Sequence, residues 1–126
     1  YRSAKVFAFA SRTETQGLVL LEAMAQGTPV VSTAMMGTID VLADASGAVV
    51  VPEDEAKFAE AVAAVLCDAP RRDALSVAAV RSAEAWSSRN LALRLVNLYD
   101  AIVGRENADD AAKLHGVLTR PQGARA

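Results

Sequence analysis

The chain has 126 residues, a formal net charge of −2, and a hydrophobic fraction of 52%. This length suits one small domain with its own core. It contains no run of about 18 or more apolar residues, the least that a transmembrane helix needs. It has no basic block, which argues against a nucleic-acid partner. The single cysteine, Cys67, excludes an internal disulfide, and no cluster of metal-ligand residue types is visible.

The sequence begins without methionine and enters strand-like sequence almost at once, so we expect a piece of a longer protein. It shows no charged region followed by an apolar stretch and a cleavage site, the pattern of a signal peptide. We therefore expect a cytoplasmic protein, with the full-length polypeptide peripheral to the membrane as a further expectation.

The first half of the chain alternates between predicted strands and helices. The run "AKVFAFA" at 4–10 is rich in Val and Phe and predicts a buried strand. A helix follows from about Leu18, closed by Gly27 in the position of a C-terminal glycine cap. On this helix one face is shared by Leu18, Leu21 and Ala25. The segment 28–33 predicts a second strand, with Pro29 at its first position.

The second half is mostly helical by pattern. A short helix at 39–45 precedes a third strand at 48–51. Apolar spacing and start signals then predict three helices, at about 54–67, 70–86 and 88–104. Pro70 is expected at the start of the second of these and Ser88 at the cap of the third. Cys67 is expected to be a small buried residue, and Trp86 to pack among the helices.

Alternating strands and helices predict an α/β fold, a partial Rossmann-like parallel sheet of about three strands followed by C-terminal helices. Sheets of this kind usually have five or six strands, so the pattern suggests half of a doubly wound domain. Residues 1–104 are predicted to form this domain portion. Residues 105–126 gain charge, Gly and Pro and are predicted to be a flexible tail in which His115 has no role.

The loop "SRTETQG" follows the first predicted strand and leads into a helix. In open parallel sheets ligands bind beyond the carboxyl ends of the strands, and a helix start with free N–H groups favours phosphate. Gly17 would let a ligand approach the backbone closely. The sequence therefore predicts an anion site at this loop.

Two acids stand on either side of this loop segment, and seven residues separate them. Glu22 lies about 7 Å along the helix axis from Gly17. Glu14 can then occupy the other side of the anion site. Two carboxylates placed in this way suit a ligand with phosphates in the middle and hydroxyls at both ends, such as a nucleotide sugar. The ordinary interpretation stays open beside it: Glu22 as a helix-surface residue and Glu14 as a loop or helix-start acid.

The stretch "SRTETQGLVLLEAMAQGTPVV" resembles the signature of the group 1 retaining glycosyltransferases of GT-B fold. That signature is a glutamate, seven residues, a second glutamate, small residues and a G-x-P-V-V strand. The matching positions are Glu14, Glu22, Ala23, Ala25, Gly27, Pro29, Val30 and Val31. The later "MGTIDVLADASGAVVVPED" resembles the next family segment at Gly37, Gly47 and Pro52, with Asp40 where a glutamate is usual. The resemblance covers about residues 3 to 103 and implies a fragment of a GT-B C-terminal domain.

The resemblance also implies roles for individual residues. Glu14 would face the hydroxyls of the transferred sugar as the catalytic-site acid, and Glu22 would bind the ribose hydroxyls. Backbone amides of the intervening loop would hold the diphosphate and the sugar, at Gln16, Gly17, Leu18 and Val19. The implied reaction transfers a hexose from a nucleotide diphosphate sugar to a lipid or glycan acceptor, with retention and without a bound metal or other cofactor.

Two features depart from the family pattern. Gln16 stands where the family often has Phe, and the family's phosphate-binding Arg and Lys are expected in an upstream segment. The acceptor domain is likewise expected to precede this chain. Arg12 lies near the loop but does not replace those cations. The isolated chain is therefore predicted to hold half a donor site and to be inactive, since full activity needs the N-terminal part.

Other interpretations remain beside this one. A half-Rossmann module that binds or interacts without catalysis is the main alternative, and a flavodoxin-like fold is a weaker one with only Asp40 and Asp44 as candidate acids. Met35 and Met36 are expected to line the nucleotide pocket rather than the core. The helix at 88–103 carries an apolar stripe that predicts self-association of the isolated chain. The members of this stripe are Leu91, Leu95, Leu98 and Ile102.

Overall fold

The structure is a computed structural model and describes residues 1–103. The predicted tail at 105–126, with His115, and the predicted helix stop at Gly104 lie outside the described residues. The elements in chain order are β1 (Phe7–Phe9), α1 (Leu18–Ala25), β2 (Val30–Ser32), α2 (Thr38–Leu42), β3 (Ala48–Val50), α3 (Glu55–Cys67), α4 (Ala69–Glu84) and α5 (Ser88–Val103). Every predicted strand and helix within these residues is present, with ends shifted by a few residues.

The three strands form one parallel sheet in the order β1-β2-β3. Phe7 pairs with Val30, and Val30 pairs with Ala48, so the three strands are aligned from their first residues. All three residues of the central strand β2 are buried. A strand buried on both faces reads as a continuous apolar run, which is why "PVVS" shows no alternation. The predicted fold class, a partial Rossmann-like α/β fragment, is confirmed.

The core lies on both faces of β2, between the sheet and helices α1 to α4. Its buried apolar residues are Leu20, Ala23, Met24, Val30, Val31, Val41, Leu42, Val65, Ala79 and Ala83. On α1 the buried face differs from the one that the sequence suggested: Leu18 is 54% exposed, whereas Leu20 and Met24 are fully buried. Seven of the eight α1 residues are apolar, so their spacing does not mark a face.

Local hydrogen bonds explain where the helices begin and end. Gly27, at φ 77°, donates to Met24 O at 2.9 Å, and the next amide donates to Ala23 O at 3.0 Å. These two bonds form a Schellman motif, which confirms Gly27 as the helix stop. Asp54 caps α3 by accepting from the Lys57 amide at 2.8 Å.

The starts of the last two helices differ slightly from expectation. The Asp68 carboxylate accepts from the Arg71 amide at 2.9 Å, so α4 begins before Pro70. At α5 the cap is Ser87 rather than Ser88, since the Ser87 hydroxyl accepts from the Asn90 amide at 3.3 Å.

Cys67 is exposed, so the prediction of a buried cysteine is wrong. It occupies the last position of α3, where the side chain leaves the core.

The chain divides into two compact units, Tyr1–Glu84 and a second that begins at Ala85. The first contains the sheet and helices α1 to α4. In the described part of the second, α5 has no buried residue, and Trp86 before it is half-buried. Within residues 1–103, no helix combines the length and the apolar character that crossing a bilayer requires.

Candidate functional site

Two loops meet at the carboxyl end of the sheet. One joins β1 to α1 and contains Glu14 and Gly17; the other joins β2 to α2 and contains Gly37. The strands are parallel and adjacent, so both loops leave the same edge. This edge is where ligands bind in open α/β sheets.

Glu14 is held inside its own loop by the backbone. Its Oε1 atom accepts hydrogen bonds from the amides of Thr15 at 3.1 Å, Gln16 at 3.4 Å and Gly17 at 3.2 Å. The bonds from Gly17 and Gln16, with a smaller one from Thr15, lower the pKa of Glu14 below its ordinary value of 4.5, against a small opposing effect of desolvation. Three converging amides favour the charged carboxylate, because they bond to that form.

Gly17 is required at the start of α1 for two reasons. Its φ is 71°, in the left-handed region that side chains rarely adopt. A Cβ atom at this position would also stand 2.9 Å from Thr38 Cγ2 and 3.1 Å from Leu20 Cδ1. The glycine therefore allows the loop to turn sharply while it lies directly against α2.

Gly37 fastens the second loop to the first. Its amide donates to the backbone oxygen of Glu14 at 3.3 Å. A Cβ atom on Gly37 would lie only 1.7 Å from the Thr15 carbonyl oxygen. Its φ of −62° is ordinary, so the close backbone approach alone requires glycine. The sequence marked Gly37 through a family resemblance, but did not reveal this supporting contact.

The β2–α2 loop carries backbone strain next to that contact. Ala34 has φ 48° and Met36 has φ 52°, both in the left-handed region without being glycine. Such residues cost about 1 to 3 kcal/mol each and collect at functional sites. Local bonds hold the turn, since Ser32 Oγ accepts from the Ala34 amide at 3.1 Å. Buried Thr38 also donates its hydroxyl to the Met35 carbonyl at 2.7 Å. Met36 is 58% exposed, so it does not belong to the core.

Gln16, Leu18 and Val19 surround the helix start. Gln16 and Leu18 are exposed and Val19 is half-buried. The Leu20 amide bonds to Gly17 O at 2.9 Å, and the Gly17 amide bonds to Glu14. Within the described residues, the amides of Leu18 and Val19 make no hydrogen bond, as is usual in the first turn of a helix.

Glu22 lies on the exposed face of α1 in different surroundings. It borders a shallow open depression that is lined by Tyr1, Arg2, Glu22, Ala25 and Gln26. A hydrogen bond joins the Tyr1 hydroxyl to Glu22. Partial desolvation first, and then the bond to Glu22 and its negative charge, raise the pKa of Tyr1 above 10.0. Glu14 does not line this depression, so the two acids occupy separate environments.

Tyr1 is itself fixed beside Glu22. Its ring meets Phe7 edge-on with centroids 5.3 Å apart, and its backbone oxygen accepts from Thr28 Oγ1 at 2.8 Å. No sequence pattern places Tyr1 or Arg2 at this acid, because both precede β1 and reach α1 only through tertiary packing.

Arg12 connects the first loop with the segment after β3. Its guanidinium forms an ion pair with Glu53, and its side chain is 75% exposed. Since β2 lies between β1 and β3, this pair spans the end of the central strand. An exposed pair of this kind stabilises by at most about 1 kcal/mol.

Comparisons with known proteins identify the family to which the chain belongs. The sequence model of the family described as "Glycosyl transferases group 1" matches residues 1–81. The chain is 40% identical over 122 residues to a D-inositol 3-phosphate glycosyltransferase of Geodermatophilus obscurus, covering 96% of the chain and 26% of that protein.

Two further relatives carry the same name. The one from Mycolicibacterium vanbaalenii is 40% identical over 126 residues, which cover 99% of the chain and 27% of the relative. The one from Corynebacterium urealyticum is 39% identical over 103 residues, with 81% and 24% covered. The chain thus spans about a quarter of the length of the relatives that it matches. On the family match and these identities, the chain belongs to the group 1 glycosyl transferases.

Proposed function

We propose that this chain forms the donor-binding half-site of a retaining, metal-independent glycosyltransferase, which transfers a hexose from a nucleotide diphosphate sugar. Family membership supports the reaction class, and one observation carries the location of the site. The loop between Glu14 and Gly17 gathers backbone amides around a carboxylate at the carboxyl edge of a parallel sheet. The carboxylate is suited to the sugar hydroxyls of such a donor, and the amides of the helix start beside it are suited to the diphosphate.

Each residue of the motif has a proposed role. Glu14 is the catalytic-site acid and accepts hydrogen bonds from hydroxyls of the transferred sugar. Glu22 accepts from the ribose hydroxyls, which the open depression beside it leaves accessible. The diphosphate and sugar are held by backbone amides of the segment between these acids. The amides of Leu18 and Val19 are available directly, and those of Gln16 and Gly17 become available when the Glu14 carboxylate turns from them to the donor sugar.

The proposed chemistry is a transfer with retention, as the family resemblance implies. The bond between the anomeric carbon and the diphosphate oxygen breaks, the acceptor hydroxyl oxygen bonds to that carbon from the same face, and the hydroxyl proton passes to the departing diphosphate. Negative charge grows on the departing diphosphate. Fixed amide dipoles at the helix start stabilise this charge without having to reorganise during the reaction.

The acceptor is proposed to be a lipid or a glycan that binds to another part of the full-length protein. The names of the matched relatives favour a second class, an inositol phosphate. Activity is assigned to the intact polypeptide that carries these residues, and the isolated chain is proposed to be inactive.

Glu14→Gln and Glu22→Gln in the intact polypeptide test this function. Glu14→Gln is expected to lower kcat/KM about 100-fold, the size of losing one transition-state partner. Glu22→Gln is expected to raise the donor KM about tenfold with less effect on kcat. Glu60→Gln, an exposed acid in the middle of α3, is the charge-matched control. Full activity of both motif variants would leave a non-catalytic binding module as the better account.

Helix α5 is proposed to mediate self-association of the isolated chain. Seven of its large apolar side chains are at least 39% exposed, more than single scattered residues would explain. They are Leu91, Leu93, Leu95, Val96, Tyr99, Ile102 and Val103. Light scattering should show dimers or larger species, and Leu95→Glu with Ile102→Glu should return monomers. A monodisperse monomer of the unaltered chain would remove this proposal.

A further inference from the structure

Tyr1 is anchored to the two elements that lie beside Glu22. Its backbone oxygen accepts hydrogen bonds from Thr28 Oγ1 and from the Ala4 amide, each at 2.8 Å. Its ring meets the Phe7 ring edge-on, with the centroids 5.3 Å apart. Thr28 is buried just after α1, and Phe7 begins β1. Both the main chain and the ring of Tyr1 are therefore fixed to the body of the fold.

This anchoring brings the Tyr1 hydroxyl to the Glu22 carboxylate. Partial desolvation, and then the bond to Glu22 and its negative charge, raise the pKa of Tyr1 above 10.0. The hydroxyl therefore keeps its proton at neutral pH and can only donate to the carboxylate. An ionised carboxylate accepts about four hydrogen bonds, so one from Tyr1 leaves capacity for the hydroxyls of a ligand.

Glu22 has little else to fix its side chain. It is exposed, and Arg2, which also lines the depression, forms no ion pair with it in the part of the chain that the structure describes. The helix neighbours that could reach it supply no cation either. They are Leu18, Val19, Ala25 and Gln26. A free glutamate side chain loses rotamer freedom when a ligand orders it, and this loss weakens binding.

We propose that Tyr1 is a positioning residue for Glu22: its hydroxyl holds the carboxylate where it receives the two ribose hydroxyls, and so favours nucleotides that carry both. This inference rests on the proposed function, in which Glu22 contacts the ribose, and adds a residue that lies outside the motif. Tyr1 acts through Glu22 and touches no part of the donor. Because the carboxylate is held in advance, the ligand does not have to order it.

Calorimetric binding to the intact polypeptide separates this role from general support of the fold. The probes are UDP, GDP and ADP, each beside its 2′,3′-dideoxy form, which offers Glu22 no ribose hydroxyl. Tyr1→Phe keeps the ring on Phe7 and removes only the hydroxyl. It should weaken the ribonucleotide that binds about fivefold, the size of one net hydrogen bond. The dideoxy form should stay within about twofold. Tyr99→Phe, the same change at an exposed tyrosine of α5, should affect neither.

A double-variant cycle shows whether Tyr1 acts through Glu22. In a Glu22→Ala background there is no carboxylate to hold, so adding Tyr1→Phe should change ribonucleotide binding by no more than about twofold. A further fivefold loss in that background would overturn the inference.

Three results with Tyr1→Phe alone would also overturn the positioning role while leaving the ribose contact of Glu22 in place. They are unaltered binding of the ribonucleotide, equal weakening of the ribonucleotide and dideoxy forms, and tighter binding of the ribonucleotide. The last would mean that the Tyr1 hydroxyl competes with the ribose for the carboxylate. If Glu22→Ala itself left ribonucleotide binding unaltered, or if none of the three ribonucleotides bound, the proposed donor site would fall and this inference with it.

Discussion

The Glu14 side chain accepts hydrogen bonds from three backbone amides of its own loop. Its position three residues before a left-handed glycine lets the side chain fold back over three amides. The E-T-Q-G sequence contained this information, since a Glu three residues before a turn glycine can reach that glycine's amide. A motif match assigns the residue to a ligand, but only the structure shows the bond to the backbone.

The pH dependence of the loop follows from these bonds. The pKa of Glu14 is lowered in the folded protein, first by the Gly17 amide and then by that of Gln16. The unfolded chain therefore takes up a proton at higher pH than the folded one. The stabilisation is complete above the unfolded pKa, and it is lost as pH falls through the folded pKa.

Amide NMR signals check this directly. The signals of Thr15, Gln16 and Gly17 should titrate together with a midpoint below 4.5, the ordinary value for Glu. Glu14→Gln should abolish this shared titration. A midpoint at or above the ordinary value would mean that the carboxylate is not bonded to these amides in solution.

Gly37 and Gly47 both lie close to other backbone atoms, so substitutions at the two positions can be compared. An added Cβ would lie 1.7 Å from Thr15 O at Gly37 and 2.1 Å from Ala79 Cα at Gly47. Gly37→Ala and Gly47→Ala should each destabilise the protein by about 1 to 3 kcal/mol, because backbone atoms must shift. Chemical denaturation measures this loss.

The two variants should differ at the site. Only Gly37→Ala should speed hydrogen–deuterium exchange at residues 12–19, since Gly47 packs on α4 and not on the loop. Equal exchange of that segment in both variants would show that Gly37 does not support it.

At the scale of the elements, strands and helices could be predicted, but faces and partners could not. Composition and turn signals were sufficient for β2 and for the Gly27 stop. They failed on α1, where an almost wholly apolar octet hides the buried face. Of two successive serines, Ser88 was predicted as the α5 cap, but Ser87 takes that position.

The site residues likewise divide into those that local sequence predicts and those that depend on tertiary contacts. Its acids and its loop glycine were readable because they lie close in sequence. Three contacts join segments that are distant in sequence. They are the bond from Gly37 to the Glu14 backbone, the approach of the Tyr1 hydroxyl to Glu22, and the Arg12–Glu53 ion pair. Contacts of this kind arise from tertiary packing, which no local pattern encodes.

A cap and an ion pair should differ in their effect on stability. Asp54→Ala should lower the free energy of unfolding by about 1 kcal/mol, because the Lys57 amide loses its acceptor. Arg12→Ala should change it by no more than about 0.5 kcal/mol, because its pair with Glu53 is exposed to water. Urea unfolding at one pH gives both values, and a larger loss for Arg12→Ala than for Asp54→Ala would reverse this ranking.

At the scale of the whole molecule, the chain contains both motif acids, Glu14 and Glu22, beside a sheet of three strands. Residues 1–84 form a unit with the motif at its edge, and the chain covers about a quarter of its relatives. The donor's nucleotide and sugar are therefore proposed to meet this chain on one side of a larger site. We therefore expect the two motif acids to contact different parts of one ligand, Glu14 the sugar and Glu22 the ribose.

Calorimetric binding to the intact polypeptide tests this central claim most directly, with UDP and GDP and their hexose conjugates as ligands. Glu22→Gln should weaken the nucleoside diphosphate that binds and its sugar conjugate by the same factor, about tenfold. Glu14→Gln should leave the nucleoside diphosphate within about twofold and weaken only the sugar conjugate. Unaltered binding of the nucleoside diphosphate by Glu22→Gln, or its loss in Glu14→Gln, would contradict the assignment of Glu22 to the ribose and Glu14 to the sugar.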